Sequence, residues 1–243
     1  MLSKMFSRKW LFTTLLVFAG TAVCIRLGIW QLDRLAHRRA FNSQVQSMRA
    51  AEPLDLNQEI PSAIESMEWR AVTVTGEYDF ENQVALRNRY HEGQFGYDLI
   101  TPLLFDGGAV LVDRGWIPAV GNSLPSDWSQ YDKPGQVTVT GQLRLGQDKP
   151  VIGGVGDPEF TSTRPHLDFW NNLNVARIDE QISYELLPAF IQPDPEQGHA
   201  EPPIPTQPVL ELTEGSHLGY AFQWFSFAAI LFCGYPFYLR KQP

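Results

Sequence analysis

The residue with the clearest chemical potential is His217, which stands at the start of an aromatic, uncharged stretch near the end of the chain. The 22 residues 218–239 carry no charge. If this stretch is helical, Tyr220 and Trp224 lie on the same face as His217. A neutral imidazole followed by aromatic and small residues can ligate a haem iron and pack against the macrocycle. The same pattern also suits an interfacial histidine that hydrogen-bonds to lipid headgroups or to an adjoining domain.

A second candidate group is Arg26, which lies inside the first apolar stretch of the chain. If the two apolar stretches pair as helices, Arg26 comes near the depth of His217 and could neutralise a haem propionate through a charge-assisted hydrogen bond. The alternative is a cation that snorkels to the lipid headgroups. Trp30, which marks the outer interface, joins Arg26, Tyr220 and Trp224 as a candidate cofactor contact around His217.

Two elements must position these side chains, and both have the length of a membrane span. Residues 10–25 are uncharged, and the stretch extends to residue 32 if Arg26 is tolerated. Residues 218–239 would rise about 33 Å as a helix, enough to cross a bilayer core. We therefore predict transmembrane helices at 10–32 and 218–239. A cleaved signal peptide is the alternative for the first.

The charge distribution sets the expected topology. All 27 acidic residues lie between the two apolar stretches, where only 13 basic residues stand, a net charge of −14. This argues against nucleic acid as a partner. Acidic residues precede the second stretch and Arg240 and Lys241 follow it, so its end is cytoplasmic by the positive-inside tendency. We expect a bacterial inner-membrane protein with cytoplasmic termini (1–9 and 240–243) and a periplasmic main domain.

The segment between the spans predicts an α+β domain. Residues 33–68 fit a juxtamembrane helix, to about residue 50, and a linker; 69–192 fit a β-rich domain; 193–217 fit a proline-rich linker and return segment. Alternation and turn signals predict antiparallel strands, with one packed helix at 174–187 that Asn174 caps. The overall prediction is a membrane-anchored, antiparallel β-rich extracytoplasmic domain tethered by two antiparallel transmembrane helices. The strands are expected at 70–78, 83–89, 96–105, 109–117, 137–143 and 189–192, with a further one at 208–213.

Motifs for catalysis and for metal binding are missing from the sequence. The five histidines are not at metal-ligand spacing, and no nucleotide-binding loop or nucleophile motif occurs. Cys24 and Cys233 lie one in each span, too far apart along paired helices for a disulfide, and no CxxC occurs. We therefore expect a protein that is not an enzyme and has no metal site beyond a haem iron; an unrelated membrane-anchored hydrolase is the weaker alternative.

Five short motifs follow one another along the chain. They are L-G-I-W-Q-L-D-R-L at 27–35, R-A-V-T-V-T-G at 70–76, T-P-L at 101–103, V-D-R-G-W-I-P at 112–118 and H-L-G-Y-A-F-Q-W-F at 217–225. Together, in this order and with two spans, they resemble the surfeit locus protein 1 family, the membrane assembly factors of haem–copper cytochrome oxidase. Ser216, where that family often has Asn, and Gln223, where a small residue is usual, depart from the pattern.

The resemblance implies a function. It implies delivery or insertion of haem a into oxidase subunit I at the outer face of the membrane, with His217 in the place of the family's proposed haem ligand. The implied partners are subunit I, the haem a supply machinery and membrane lipid. The alternative is a cofactor-free scaffold that docks on subunit I during assembly. For the R-G-W element, structural anchoring competes with direct haem or partner contact. The positions that match the family signature are Gly28, Gln31, Arg34, Arg114, Gly115 and Trp116.

Overall fold

The computed structural model describes residues 5–150, 153–195, 201–207 and 210–242. The chain divides into two compact units, one made of Met1–Gln44 with Leu210–Pro243 and the other of Val45–Val209. His199, part of the proline-rich linker and the first two residues of the strand expected at 208–213 lie outside the described residues. Residues 210–213 carry no strand, so that prediction is wrong for this part.

Three α-helices have both of their ends within the described residues: α1 (Leu11–Ala50), α2 (Val175–Asp179) and α3 (His217–Arg240). Helices α1 and α3 are long and apolar enough to cross a membrane. Large apolar side chains on them stay exposed, and Phe12 and Phe222 are each 76% exposed. Such side chains are costly in water and favourable in lipid, so both helices fit the predicted spans.

A seam of buried residues runs along one face of α1. Thr14, Thr21, Gly28 and Leu35 are buried at intervals of seven residues. A seven-residue repeat keeps one face of a helix turned toward a partner along its whole length. The partner is α3: a Cβ added at Gly20 would meet Leu231, and one added at Gly28 would meet Phe225. The two helices therefore run antiparallel to each other.

A polar contact joins the two helices near the start of α1 and the end of α3. The Thr14 hydroxyl lies 2.6 Å from the Tyr235 hydroxyl and donates to the Met5 carbonyl at 2.8 Å. Thr14 and Tyr235 are both buried. Because a buried hydroxyl without a partner is costly, these bonds favour one register of α1 against α3.

The second unit is built on an eight-stranded sheet that closes on itself. Strand order is β1-β2-β6-β8-β5-β4-β3-β7, and an additional β2–β4 pairing joins β2, β6, β8, β5 and β4 into a ring. An apolar cluster containing Val72, Leu103, Val112 and Ile191 is formed by side chains from the ring strands and fills the ring. The strands are β1 (Leu54–Asp55), β2 (Ala71–Tyr78), β3 (Val84–His91), β4 (Gln94–Phe105), β5 (Gly108–Pro118), β6 (Gln136–Arg144), β7 (Phe169–Trp170) and β8 (Leu186–Pro193).

The expectation of an antiparallel sheet is only partly correct. β5 pairs with β8 in parallel, as does β1 with β2 and β3 with β7. The similar sequences that predicted strands near 72 and 137 form β2 and β6, which pair with each other through the register Val74↔Val139. Alternation along a strand indicates a buried face but does not reveal its partner or the direction of pairing.

The helix expected at 174–187 is much shorter than predicted. Asn174 does cap it, because its side chain accepts a hydrogen bond from the Arg177 amide at 3.2 Å. α2 ends at Asp179. The Asp179 carboxylate accepts a hydrogen bond from the Leu186 amide at 2.7 Å. Leu186 instead begins β8, where it pairs with Ala109 of β5. Strand pairing in the closed ring therefore outweighs the helical spacing of the apolar residues.

Candidate functional site

His217 and Gln31 form a polar pair between α3 and α1. His217 Nδ1 lies 2.8 Å from Gln31 Oε1, and Gln31 is only 9% exposed. Because an amide oxygen can only accept, the imidazole donates from Nδ1, and its neutral form then carries the lone pair on Nε2. Within the described residues Nε2 has no hydrogen-bond partner. The pair thus leaves one nitrogen of a partly buried imidazole available as a ligand.

The segment before α3 is held against α1 by two arginines and an asparagine. Arg39 makes a bidentate ion pair with Glu214, with both nitrogen–oxygen distances 2.8 Å. Arg38 Nε donates to the Thr213 carbonyl at 3.0 Å, and Asn42 donates to the same oxygen at 3.3 Å. These contacts fix the chain just before His217. The sequence pattern did not identify them, although basic residues after the first span and acidic residues before the second were a usable signal.

Gly28 explains how closely the two helices approach beside this pair. A Cβ at Gly28 would lie 2.7 Å from ring atoms of Phe225. Only a residue without a side chain admits the ring at this position unless the ring moves. Gly28 and Gln31, two positions of the L-G-x-W-Q motif, therefore lie at the contact between α1 and α3.

The aromatic residues predicted around His217 remain largely outside the helix contact. Tyr220 is 49% exposed and Trp30 is 43% exposed. Trp224 is partly buried and packs edge-on against Phe227, with ring centroids 6.0 Å apart. An aromatic, partly open surface therefore adjoins the His217–Gln31 pair, and the predicted cofactor roles of these rings stay predictions.

Arg26 is not level with His217. It is exposed and precedes Gln31 by five residues, which is about 7.5 Å along the helix axis. Gln31 occupies the level of His217, so Arg26 is offset from it by about one and a half turns, and the predicted contact of Arg26 with a haem propionate stays a prediction. Arg34 lies about 4.5 Å beyond Gln31 in the other direction, with its guanidinium 5.6 Å from the centre of the Trp30 ring.

In the second unit, Arg114 lies in a β-bulge of β5. The register against β4 shifts between Leu99 and Ile100, so that Asp113 pairs with Ile100 and Gly115 with Leu99. The extra residue, Arg114, is 7% exposed and donates to Gln83 Oε1 at 2.7 Å and to the Tyr131 carbonyl. A bulge re-aims a side chain relative to the regular alternation, and here it buries a cation among polar partners.

Aromatic rings complete the environment of this arginine. The Arg114 guanidinium lies 5.2 Å from the Tyr78 ring and 5.0 Å from the Phe80 ring. Burial lowers the pKa of Arg114 and raises the pKa of Tyr78 to about 12. These contacts support the structural reading of Arg114.

Gly115 and Trp116, which follow Arg114, attach the segment around Ile204 to strand β5. Gly115 has a φ of +112°, and a Cβ there would lie 2.3 Å from the Ile204 carbonyl. The Trp116 amide donates to the Ile204 carbonyl at 2.8 Å, and the Ile204 amide donates back at 2.9 Å. Trp116 is buried and its ring stacks against His91, with centroids 5.3 Å apart. The R-G-W element is thus an anchoring device within its own unit.

Beside this bulge lies a cleft of about 800 Å³ with two buried carboxyls in its wall, Asp98 and Asp113. Burial raises the pKa of Asp98 to about 6, against the opposing effect of Arg89, whose Nε lies 2.9 Å away. Burial and then the Asp98 charge raise the pKa of Asp113 to about 8. The pair can therefore hold a proton near neutral pH. The sequence signal, an acidic residue inside the apolar run V-L-V-D of β5, was overlooked.

The number of possible metal ligands near one another indicates whether the protein could bind a bare metal ion or a haem. Among the described residues, no group of three or more His, Cys, Asp or Glu side chains is placed to hold a metal ion. Cys24 and Cys233 are both free. His217 offers a single available nitrogen at an aromatic, apolar surface. A bare ion needs several protein ligands, whereas a haem brings its own four nitrogens and takes one axial histidine. The residues present therefore fit a haem.

Comparison with known proteins identifies the family. The SURF1 family model matches residues 18–229. An uncharacterized SURF1-like protein of Mycobacterium tuberculosis is 30% identical over 227 residues, which cover 91% of this chain and 80% of that protein. Surfeit locus protein 1 of Mus musculus is 24% identical over 240 residues, 91% of this chain and 74% of that protein. Cytochrome oxidase assembly protein SHY1 of Saccharomyces cerevisiae is 32% identical over 105 residues, 42% of this chain and 27% of that protein. This chain therefore belongs to the SURF1 family, as its ordered motifs predict.

Proposed function

We propose that this protein is an assembly factor for haem–copper cytochrome oxidase that holds haem a, through His217 Nε2, for transfer to oxidase subunit I. In this proposal α1 and α3 are an antiparallel transmembrane pair, and His217 lies at the outer face of an inner membrane. The protein is a carrier, and haem a is its cargo. The similarity to the yeast cytochrome oxidase assembly protein SHY1 supports the assembly role. The His217–Gln31 pair carries the haem proposal.

The pair supports ligation for three physical reasons. The Gln31 oxygen accepts from Nδ1, so in the neutral ring the lone pair lies on Nε2. A hydrogen bond to the far nitrogen of a ligating histidine also orients the ring and raises its basicity. Finally, the contacts of Arg38 and Arg39 with the segment 211–214 restrain the backbone before His217. A histidine that served only lipid headgroups would need none of this fixed orientation.

The test is the absorption spectrum of the full chain, purified in detergent from a host that makes haem a. We expect a Soret band that His217→Ala removes. The matched control is His37→Ala, because His37 is an exposed histidine on α1. A band that survives in His217→Ala, or that is lost equally in His37→Ala, would exclude the proposed ligand.

The cofactor-free scaffold is tested in the same preparation. If the protein co-purifies with subunit I but carries no haem at any stage, the scaffold function replaces the carrier function. If haem and subunit I are both retained, and His217→Ala loses only the haem, the carrier function is supported.

A further inference from the structure

Residues 34–39 of α1 include three arginines, and only two of them have an ionic or hydrogen-bonded partner in the described part of the chain. Arg38 donates to the carbonyls of Glu211 and Thr213. Arg39 is paired with Glu214. Arg34 is exposed, and its guanidinium lies over the ring of Trp30. Arg34 is thus the cation at this level that remains available to an external anion.

The position of Arg34 relative to the imidazole follows from helix geometry. Gln31 faces His217 directly. Arg34 follows Gln31 by three residues, about 4.5 Å along the axis and about 60° around it. Arg26 precedes Gln31 by five residues, about 7.5 Å in the opposite direction and about 140° around the axis. Arg34 therefore lies nearer to His217 in both respects, and on the C-terminal side of Gln31 along α1.

Trp30 adds an apolar plane next to this charge. Its ring is 43% exposed and lies 5.6 Å from the Arg34 guanidinium. A partly exposed ring beside an unpaired guanidinium suits a ligand with a flat apolar body and an anionic edge. A guanidinium also matches a carboxylate with two parallel hydrogen bonds, which an ammonium cannot do.

We propose that Arg34, supported by Trp30, is the carboxylate subsite of the haem site and binds a propionate of the porphyrin whose iron His217 ligates. This inference rests on the proposed haem function and assigns to Arg34 the role that sequence analysis gave to Arg26. A lipid phosphate offers the same anionic oxygen chemistry at the membrane surface, so the test separates the two sources.

The experiment uses the full chain in nanodiscs of neutral phosphatidylcholine. The probes are ferric protoporphyrin IX, which has free propionates, and its dimethyl ester, which has no carboxylate. Soret titrations give the dissociation constant of each probe for the wild type, Arg34→Gln, Arg26→Gln and His217→Ala. Arg26→Gln is the matched control because both arginines are exposed on α1.

We expect Arg34→Gln to weaken binding of the free acid by about 10-fold or more, the worth of one charge-assisted hydrogen bond. The ester should bind wild type and Arg34→Gln alike, and Arg26→Gln should match the wild type for both probes. Equal binding of the free acid by wild type and Arg34→Gln, or a loss confined to Arg26→Gln, would overturn the subsite.

The remaining outcomes distinguish a failure of the proposed Arg34 subsite from a failure of the proposed haem function. If His217→Ala binds both probes as the wild type does, the haem function fails, whatever Arg34 does. If haem binding depends on His217 but not on Arg34, and anionic phosphatidylglycerol raises the melting temperature of wild type but not of Arg34→Gln, Arg34 binds lipid phosphate and the subsite is refuted.

Discussion

Gly115→Ala tests whether the R-G-W element is a structural anchor. Two costs arise at this position. A non-glycine residue with positive φ costs about 1–2 kcal/mol. The new Cβ would also lie 2.3 Å from the Ile204 carbonyl, which is backbone and cannot rotate away as a side chain can. Either the strand or the 201–207 segment must move, and overpacking of this kind costs about 1–3 kcal/mol.

Movement of that segment would also weaken the two hydrogen bonds between Trp116 and Ile204. Each is worth about 1 kcal/mol net, so the expected total destabilisation is about 3–5 kcal/mol. For a unit of this size, each kcal/mol lowers the melting temperature by about 2–4 °C. We therefore expect Gly115→Ala to lower the melting temperature by about 6–20 °C.

The measurement is thermal unfolding of the full chain in detergent, followed by tryptophan fluorescence, because Trp116 is buried next to the substitution. Gly121→Ala is the matched control: its φ is +82°, and a Cβ there meets nothing within 4 Å. It should cost only the backbone strain of about 1–2 kcal/mol, which lowers the melting temperature by about 2–8 °C. Equal melting temperatures for the two variants would refute the argument that Gly115 is required by close approach.

Three further predictions follow from the other contacts. Burial raises the pKa of Asp113, so the contribution of this carboxyl to stability is greatest below about pH 4 and is lost as the pH rises to about 8. Asp113→Asn should therefore flatten the fall in melting temperature between pH 5 and 8. Gln31→Leu should weaken haem binding by about 10-fold in Soret titrations, since it removes the acceptor that orients His217, whereas Gln31→Glu should retain binding. Gly28→Ala should destabilise the helix pair by about 1–3 kcal/mol in thermal unfolding, whereas Gly20→Ala, with 3.5 Å of clearance, should be nearly neutral.

Specific results would contradict each of these. Parallel curves of melting temperature against pH for wild type and Asp113→Asn would mean that this carboxyl does not hold its proton. Equal haem affinity of Gln31→Leu and Gln31→Glu would show that the hydrogen bond does not orient the ligand. Equal melting temperatures for the alanine variants at Gly20 and Gly28 would show that Phe225 gives way without cost.

Local elements of the fold were predictable because their signals are local. The apolar spans and the strands at 71–78 and 136–144 each follow from composition and period over a few residues. The parallel pairing of β5 with β8 did not follow, because it joins segments about 80 residues apart. The same pairing explains why the helix predicted through Leu186 stops early.

The candidate site was predictable in its parts but not in its pairing. His217 was identified by its position, and Gln31 only as a letter of a motif. That Gln31, and not Arg26, occupies the level of His217 depends on the register of α1 against α3. The contacts of Gly28 with Phe225 and of Thr14 with Tyr235 set this register, and a repeat within α1 does not reveal which residues of α3 it meets. The bulge at Arg114 was likewise invisible, because one extra residue in a strand leaves its composition unchanged.

The place of β8 in the ring has a consequence for biogenesis. It is the last strand in sequence order among the described residues, yet it lies between β5 and β6. Until residues 186–193 are synthesised, β5 and β6 each lack a neighbour and present open edges, which favour aggregation. The domain therefore cannot complete its fold before these residues are available. A chain arrested before residue 186 should remain sensitive to protease and dependent on chaperones, whereas one that includes residue 193 should be protected.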